Sequence, residues 1–291
     1  MALLVCDLGG TAVKTALFTE GNLELMDSLP TPSSWEEMKV ALLALKNQVS
    51  SENISGLALS CPGSVDTETG IIYGKSAIPY IHRFPIQAEL EELLGLPVSI
   101  ENDANCAALA ELHMGAARGS SSAAFFIIGS GVGGALSIGT QLQKGENLFG
   151  GEFGFMLLDQ GRSLSQLVSP VQVAQRFAQD QGLDHVTGKD LFDLAQSGHP
   201  AAEEAVESLY NSLAVGIYNV LMTVNPELVL LGGAISARED LVPNVQRRLE
   251  ALIQETDAED IRFRLKACAF QNQANLLGAV SHFLISHPEK V

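Results

Sequence analysis

The chain has 291 residues, 46% of them hydrophobic, and a formal net charge of −17 at pH 7. This length suggests about two domains, and the acidity argues against a nucleic-acid surface, which requires clustered Lys and Arg. An anionic nucleotide is still permitted, because a few backbone amides and a Mg²⁺ ion can bind phosphate locally. The N-terminus has no basic region ahead of an apolar stretch, and no apolar run is long enough to span a membrane. We therefore expect a cytoplasmic protein without a membrane or nucleic-acid partner.

The four cysteines are scattered along the chain and include no CxxC or CxC pair, which argues against a zinc cluster. Most of them lie in or beside apolar segments, where a reduced, buried thiol is usual. This use of cysteine is typical of a protein that works in a reducing cytosol.

In the first half of the chain, strands come first and helices alternate with strands afterwards. Apolar runs predict strands over residues 3–6, 15–18, 23–26, 54–60 and 96–100. Ser34 and Glu37 have the spacing of a capping box, and apolar residues recur behind them at three- and four-residue steps, so we expect a helix with one buried face. Another helix is expected over residues 104–113. This order is typical of a mixed α/β layer plan.

The second half begins near Gly115 and repeats the opening pattern. Apolar runs predict strands over residues 123–128, 135–138 and 227–231. Helices are predicted from about residue 170 onward, including residues 201–224 and 275–285. The longest helix is expected to end at Asn225-Pro226, a pair that breaks helices. Strand, glycine turn and strand thus occur twice. Because the chain has no low-complexity segment and no obvious linker, we expect two lobes joined by a hinge and not two independent modules.

Polar residues are concentrated where a predicted strand meets a predicted helix, at Glu101-Asn102-Asp103-Ala104-Asn105. In α/β domains ligands bind at the carboxyl ends of strands. A helix N-cap needs only one such residue, whereas here four polar side chains occupy five positions. The segment therefore favours a functional site over a simple cap.

A glycine-rich turn follows the first strand of the second half. Gly129, Gly131 and Gly134 fit the GxGxxG pattern, but the residues behind them predict a short strand and not the helix that a dinucleotide site requires. We interpret the segment as a hairpin turn whose glycines let backbone amides approach a phosphate. A plain tight turn and an NAD site are the alternatives.

The first strand of the chain ends in a similar turn, Asp7-Leu8-Gly9-Gly10-Thr11. Its glycines permit close approach of a ligand, Thr11 can donate its hydroxyl to phosphate, and Asp7 can hold a hydrated Mg²⁺ ion. A hairpin turn with a polar tip explains the same residues without a ligand. Two such turns, one in each lobe, are suited to a nucleoside triphosphate.

From about Leu3 to Leu284 the chain resembles the ROK family of sugar kinases and repressors. Members of this family have the two-lobed actin-like, hexokinase-like ATPase fold (ribonuclease H-like), an α/β fold with mixed sheets flanked by helices. The resemblance implies a lobe of residues 1–114 plus 275–291, a lobe of residues 115–274, and a cleft between them. Six motifs in family order support it: Asp7-Leu8-Gly9-Gly10-Thr11 with Lys14, Pro62-Gly63-Ser64-Val65-Asp66, Glu101-Asn102-Asp103-Ala104-Asn105, Gly129-Ser130-Gly131-Val132-Gly133-Gly134, Gly150-Gly151-Glu152-Phe153-Gly154 and Leu231-Gly232-Gly233-Ala234.

The resemblance implies transfer of the γ-phosphoryl group of ATP to a sugar hydroxyl, normally at C6, with Mg²⁺ as the second cofactor. Asp103 is the expected general base, Asn102 and Glu152 hold other sugar hydroxyls, and Gly63 and Ser64 lie beside the sugar. The residues expected at ATP and its phosphates are Asp7, Gly9, Gly10, Thr11, Lys14, Gly129, Ser130, Gly131, Gly133, Gly232 and Gly233. Asp7 would hold the Mg²⁺ ion through water. A homodimer is a frequent state in this family.

The chain departs from the family pattern behind its Glu-Phe-Gly segment. Phe155 stands where the family has His, and a cysteine-rich zinc loop is missing, so we expect no structural zinc. In our alignment Ser165 replaces a glutamate that grips hydroxyls near the anomeric carbon. Each lost charged contact costs about 1.5–3 kcal/mol, which weakens binding of free glucose and leaves room at that end of the sugar.

These departures favour a substrate with a substituted anomeric carbon, such as a glucoside or disaccharide. Phe155 and Tyr80 are candidates to stack on the second ring or aglycone. The alternative is that Phe155 belongs to the core and that the enzyme is a simple hexose kinase, resembling glucokinase or fructokinase. A non-catalytic sugar-binding ROK homologue is a further alternative. A ROK repressor would need a DNA-binding helix-turn-helix ahead of Leu3, where the first strand is already predicted.

Overall fold

The computed structural model describes residues 1–49 and 52–290. The chain forms two compact units. The first unit comprises Met1–His113, Glu146–Leu148 and Gln273–Val291, and the second unit comprises Met114–Gly145 and Phe149–Asn272. In the two described stretches, no helix combines the length and the apolar character that crossing a membrane requires.

The strands, in chain order, are β1 (Ala2–Leu8), β2 (Ala12–Thr19), β3 (Asn22–Leu25), β4 (Leu29–Pro30), β5 (Ile54–Cys61), β6 (Ser64–Asp66), β7 (Ile71–Tyr73), β8 (Val98–Asn102), β9 (Ser122–Ile128), β10 (Val132–Ile138), β11 (Gln141–Leu142), β12 (Leu228–Gly232) and β13 (Arg264–Ala267). The α-helices are α1 (Trp35–Gln48), α2 (Ile86–Leu94), α3 (Asp103–His113), α4 (Leu164–Val168), α5 (Pro170–Gln181), α6 (Gly188–Gln196), α7 (Pro200–Val224), α8 (Leu241–Glu255) and α9 (Ala274–Ser286).

The main sheet of the first unit has the order β3-β2-β1-β5-β8, with β4 on the side of β2. β1 and β2 are antiparallel, and residues 9–11 between them form the predicted hairpin turn. β1, β5 and β8 are parallel. Because parallel strands end at the same edge, the sheet brings Asp7, Ser60 and Glu101 into adjacent positions of one register row.

The predicted N-cap of the first helix, Ser34, is confirmed, but Glu37 does not complete the predicted capping box. Ser34 is the N-cap of α1, and its hydroxyl accepts a hydrogen bond from the N–H of Glu37. The Glu37 carboxylate bonds Ser33 and not the N-cap residue, so the capping box is incomplete. The apolar stripe behind it is buried at Met38, Leu42, Leu45 and Val49, while Trp35 is half-buried.

The sheet of the second unit has the order β11-β10-β9-β12-β13. β9 and β10 are antiparallel and joined by a tight turn, which confirms the hairpin and leaves no helix of a dinucleotide motif behind it. β10 begins at Val132, three residues before the predicted start, so Gly133 and Gly134 belong to the strand. Only glycine fits at position 134, because a Cβ there would lie 2.4 Å from the carbonyl oxygen of Gly151.

The helices of the second unit agree with the sequence except around residue 164. A short helix, α4, precedes the predicted helical region and has a complete capping box at Ser163. α7 ends at Val224, and Asn225 adopts the left-handed conformation just before Pro226. The helices pack on the sheet to form one apolar core, with Phe126, Leu213 and Ile217 fully buried.

Close packing of α3 against α9 leads to the first prediction. A Cβ built on Gly278 would lie 1.7 Å from the carbonyl oxygen of Cys106, which is backbone and cannot turn aside. We expect Gly278→Ala to lower the free energy of unfolding by at least about 2–3 kcal/mol, since overpacking outweighs the gain in helix propensity. Urea denaturation followed by circular dichroism measures this.

Gly216, also inside a helix, provides the matched control. A Cβ there would lie 2.8 Å from Cδ1 of Leu164, the end of a flexible side chain. We expect Gly216→Ala to change the unfolding free energy by less than about 1 kcal/mol. Equal losses in the two variants would contradict the packing argument.

Candidate functional site

Three carbonyl oxygens at the first glycine turn, those of Gly9, Thr11 and Ala12, accept hydrogen bonds within the first unit. Gly9 N–H donates to Ala12 O at 3.1 Å, and Thr31 donates from its N–H to Thr11 O at 3.1 Å and from its hydroxyl to Gly9 O at 2.5 Å. Among the described residues, no hydrogen bond uses the N–H of Gly10 or of Thr11. Both residues are exposed. The turn therefore offers two N–H donors to a ligand, while these three carbonyl oxygens are occupied by other donors. Such an arrangement favours binding of an anion.

Asp7, just before this turn, is buried and held by three side chains. Its Oδ1 accepts from Ser60 Oγ at 2.7 Å and from Asn275 Nδ2 at 3.1 Å, and its Oδ2 lies 3.7 Å from Lys14 Nζ. A buried carboxylate is stable when it is paired and hydrogen-bonded. Sequence reasoning missed Ser60 and Asn275, because neither belongs to a motif that includes Asp7.

The strand–helix junction is organised by a buried carboxylate. Glu101 Oε1 accepts from the N–H of Asn102 at 2.7 Å and from Nδ2 of Asn105 at 3.1 Å. Its Oε2 lies 3.9 Å from Nε2 of His282, a second residue of α9 that the sequence did not point to. These contacts fix the backbone at the point where β8 passes directly into α3.

Asn102 connects this junction to the loop after β5. Its Oδ1 accepts from the N–H of Asn105 at 3.0 Å, so it does cap the helix, and its Nδ2 donates to Gly63 O at 2.9 Å and to Asp103 Oδ1 at 3.1 Å. Gly63 has a φ of +104°, a conformation that glycine adopts without strain. The neighbouring Ser64 is buried. The structure therefore brings together Gly63, Asn102 and Asp103, three residues that the family resemblance places at the sugar.

Asp103 is the first residue of α3 and is half-buried. Its Oδ1 also accepts from the N–H of Ala104 at 2.8 Å. The two bonds to Oδ1 orient the carboxylate, and the N-terminus of a helix stabilises negative charge. A half-buried, oriented carboxylate at a strand end is suited to accepting a proton from a hydroxyl.

The second glycine turn is held by α5. Gly129 N–H donates to Gly131 O at 2.8 Å, the hydroxyl of the fully buried Ser169 donates to Gly129 O at 2.8 Å, and Gln172 Nε2 donates to Ser130 O at 2.9 Å. No hydrogen bond of the described residues uses the N–H of Ser130 or of Gly131. This turn thus repeats the arrangement of the first one, with carbonyls occupied and two donors left.

Ser165 contributes a further bond to this turn. It lies in α4, and its Oγ accepts from the N–H of Val132 at 2.9 Å, at the first residue of β10. Gly133 lies inside β10 opposite Ile127, so the turn itself is shorter than the predicted motif.

Glu152 is a half-buried carboxylate for which no hydrogen bond to another described side chain or backbone group is found. Burial raises the pKa of its carboxyl above the usual value. Carboxylates in such positions accept hydrogen bonds from a ligand's hydroxyl groups without competition. Phe153 beside it is buried and stacks on Phe126 with ring centroids 4.5 Å apart.

Phe155 is 69% exposed, so the alternative that it belongs to the core is wrong. Tyr80, the other candidate for stacking, is half-buried in the first unit and donates its hydroxyl to Pro32 O. The ring of the exposed Phe149 lies near the ring of Phe155, with centroids 6.2 Å apart.

An apolar cavity of about 340 Å³ lies beside the second glycine turn in the second unit. Its apolar walls come from Ile128, Pro170, Val171, Phe192 and Ile235. Arg238 also lines the cavity, and its guanidinium lies over the Phe192 ring, 4.1 Å from the ring centroid. Such a cavity, apolar with polar groups at its edge, suits a flat heterocyclic ligand.

The predicted glycine turn after β12 lies next to this cavity. Gly232 is the last residue of β12, and Gly233 has a φ of +85°. A Cβ on Gly233 would lie 2.1 Å from the carbonyl oxygen of Ile128, so only glycine fits. The residue that follows, Ala234, lines the cavity.

The described residues contain no group of three or more His, Cys, Asp and Glu side chains arranged to hold a metal ion. The four cysteines are free and buried. Burial raises the pKa of Cys6 to about 12 and raises the pKa of Cys61 and of Cys106 well above the usual range. These thiols are therefore protonated and unreactive at neutral pH.

The raised pKa of Glu152 leads to a prediction on stability. The folded protein binds this proton more tightly than the unfolded chain, so the contribution to stability is present below the ordinary pKa of 4.5 and is lost as the pH rises through the folded pKa. We expect Glu152→Gln to gain thermal stability relative to the wild type between about pH 4 and about pH 7. Melting temperatures across this range measure the difference, and a difference independent of pH would contradict the assignment.

Comparison with known proteins agrees with this arrangement. A β-glucoside kinase of Klebsiella pneumoniae is 31% identical over 97% of this chain and 96% of its own length. A β-glucoside kinase of Listeria monocytogenes is 30% identical over 98% of each chain. The crystal structure of a ROK family protein from Streptococcus pneumoniae in complex with sucrose superposes with a TM-score of 0.89, at 33% identity and over 99% of this chain and 100% of its own.

The similarity to ROK structures confirms the predicted actin-like ATPase fold, with mixed sheets flanked by helices. A family model described as "ROK family" matches residues 3–285. The chain belongs to the ROK family.

Proposed function

We propose that this protein is an ATP-dependent sugar kinase that transfers the γ-phosphoryl group of ATP to the C6 hydroxyl of a glucoside or hexose. The observation that supports this most directly is the pair of glycine turns. Each presents two N–H donors, on Gly10 and Thr11 and on Ser130 and Gly131. Neighbouring carbonyl oxygens of both turns are bonded elsewhere, at Gly9 and Thr11 and at Gly129 and Ser130. A triphosphate needs several such donors, since its charge is spread over many oxygen atoms.

In this proposal Asp7 and Lys14 act at the phosphates. Ser60 and Asn275 bond one carboxylate oxygen of Asp7, which fixes its orientation. A carboxylate is the ligand type that a hydrated Mg²⁺ ion prefers, directly or through water. When bound, Mg²⁺ neutralises the charge that develops on the phosphate oxygens. Lys14 is half-exposed beside Asp7 and supplies a positive charge to the phosphates.

The proton transfer is assigned to Asp103. As the sugar oxygen attacks the γ-phosphorus atom, the bond from phosphorus to the β-phosphate oxygen breaks and the hydroxyl proton passes to the carboxylate. Asn102 orients Asp103 through its amide and, with Glu152, is assigned to the remaining sugar hydroxyls. Gly63 and Ser64 are assigned to the loop beside the sugar.

The adenine base is assigned to the apolar cavity beside Gly129. Its volume of about 340 Å³ and its apolar walls suit a purine ring. Gly232 and Gly233 are assigned to the adenosine side because they lead directly into Ala234, which lines the cavity.

Several observations favour a glucoside or disaccharide over free glucose. Ser165 bonds the backbone of the glycine turn and does not replace the lost carboxylate contact to a sugar. Phe155, three residues after Glu152, is exposed. Two relatives that are 30–31% identical are named β-glucoside kinases, and the Streptococcus protein was crystallised with sucrose, a disaccharide. The buried, reduced cysteines suit a cytoplasmic enzyme.

The decisive experiment is an ATP-coupled phosphorylation screen across hexoses, amino sugars, disaccharides and β-glucosides. We expect the highest kcat/KM on a β-glucoside or disaccharide. Activity on free glucose alone would reduce the proposal to a simple hexose kinase, and sugar binding without phosphoryl transfer would favour the non-catalytic alternative. Calorimetry with ATP and NAD separates a kinase from an NAD enzyme.

Asp103→Asn tests the general base. The amide keeps the size and hydrogen bonds of the side chain but cannot accept the proton, so we expect kcat to fall about a hundredfold to ten-thousandfold. Asp27→Asn, at an exposed acid of the same unit, is the control and should retain the wild-type rate. An unchanged rate in Asp103→Asn would remove Asp103 as the base.

Ser169→Ala tests how the second glycine turn is held. Loss of the hydroxyl leaves Gly129 O without its donor, so we expect the KM for ATP to rise about threefold to tenfold, with a smaller change in the KM for sugar. Ser169 also caps α5 with a bond of 3.3 Å to Gln172 N–H. Ser34→Ala removes an equal cap bond of 3.3 Å from α1 and should leave the KM for ATP unchanged. Equal effects in both variants would contradict the role of Ser169.

A further inference from the structure

Two phenylalanines with exposed rings flank Glu152 in the sequence of the second unit, three residues before it and three residues after it. Phe149 is 58% exposed and Phe155 is 69% exposed, and their ring centroids are 6.2 Å apart with planes inclined by 59°. This separation is within the range of interacting aromatic pairs. Phe153, between them in sequence, is turned into the core. Neighbouring exposed rings form an apolar surface that is typical of a binding site.

Backbone hydrogen bonds connect Glu152 to both phenylalanines. Glu152 N–H donates to Phe149 O at 3.2 Å, and Phe155 N–H donates to Glu152 O at 3.1 Å. The turn that contains Glu152 therefore determines where both phenylalanines lie. The same turn carries a half-buried carboxylate, whose pKa is raised by burial, and two exposed aromatic rings.

This combination matches the chemistry of a glycoside. The hydroxyl groups of one sugar ring need acceptors such as Glu152, whereas a second ring or an aglycone presents C–H groups or an aromatic face that pack on phenylalanine. We infer that Phe149 and Phe155 form an aromatic platform that binds the substituent on the anomeric carbon of the sugar. The inference rests on the proposed function and specifies the residues that select a glycoside over a free hexose.

A second copy of the chain is a poorer occupant of this platform. Two copies with a net charge of −17 each repel one another. A stable protein interface buries about 800 Å² per partner, and two phenylalanine rings provide a small part of that area. A single sugar ring or phenyl group is of the right size to cover them.

The test compares selectivity in the wild type, Phe155→Ala, Phe149→Ala and the double variant. The substrates are glucose, sucrose and phenyl β-glucoside, with KM from a coupled assay and affinity from calorimetry without ATP. Loss of one stacked aromatic contact is expected to raise the KM for phenyl β-glucoside about threefold to tenfold more than the KM for glucose. Phe155→Trp should retain the selectivity, because the ring is kept, and Phe155→Leu should lose it.

Ile138→Ala is the matched control, since Ile138 is also in the second unit and is 64% exposed. It should leave the ratio of the two KM values unchanged. If the phenylalanine variants change binding of glucose and of phenyl β-glucoside equally, or change neither, the platform is not a selectivity site. A change in oligomeric state by light scattering, with unchanged selectivity, would show that the rings belong to a protein interface and would overturn the inference.

Failure of this inference and failure of the proposed function give different results. If the wild type phosphorylates none of the sugars but calorimetry shows the expected loss of glycoside affinity in the variants, the platform stands and the kinase assignment is wrong. If the wild type phosphorylates glycosides and the variants keep its selectivity, the kinase assignment stands and the platform is wrong. A wild type that neither phosphorylates nor binds any of the three sugars contradicts both.

Discussion

Backbone amides bind phosphate well only where the carbonyl oxygens beside them are already bonded, because an unoccupied carbonyl repels an anion. Both glycine turns meet this condition, by different means. Thr31 occupies two carbonyls of the first turn with its N–H and hydroxyl. Ser169 and Gln172 occupy two carbonyls of the second turn with their side chains. The N–H donors that remain in each turn are the observation on which the proposed assignment of ATP depends.

The regular elements were largely predictable, because their signals are local. The apolar period of α1 and its cap at Ser34, the strand–turn–strand patterns and the end of α7 at Asn225 all depend on neighbouring residues. The failures occur where distant parts of the chain decide. β10 starts at Val132 because Gly133 and Gly134 pair with β9, and Gly134 is needed for the close approach of Gly151, which no local pattern shows.

In the candidate site, too, some residues could be predicted from the local sequence and others could not. Asp7 and Asp103 could be found because polar side chains at strand ends are unusual, and the family resemblance supplied their expected roles. The residues that hold them could not, since Ser60 and Asn275 reach Asp7 from 53 and 268 positions away in sequence. Frequency arguments also failed for Phe155, because a phenylalanine is usually buried and only the path of the turn around Glu152 exposes this one.

The segment from Glu152 to Ser169 connects the turn that contains Glu152 to the second glycine turn. A Cβ on Gly154 would lie 2.0 Å from Val132 O and 2.4 Å from Ser165 Oγ, so the turn that positions Glu152 and Phe155 is packed directly on the start of β10. Ser165 bonds the same strand at Val132, and Ser169, four residues later, bonds the glycine turn. Because tightly packed groups cannot shift independently, a substitution that moves the Glu152 turn also moves the second glycine turn. Sugar selectivity and phosphate binding are therefore expected to change together when Gly154 or Ser165 is altered, and separately when only the exposed rings are.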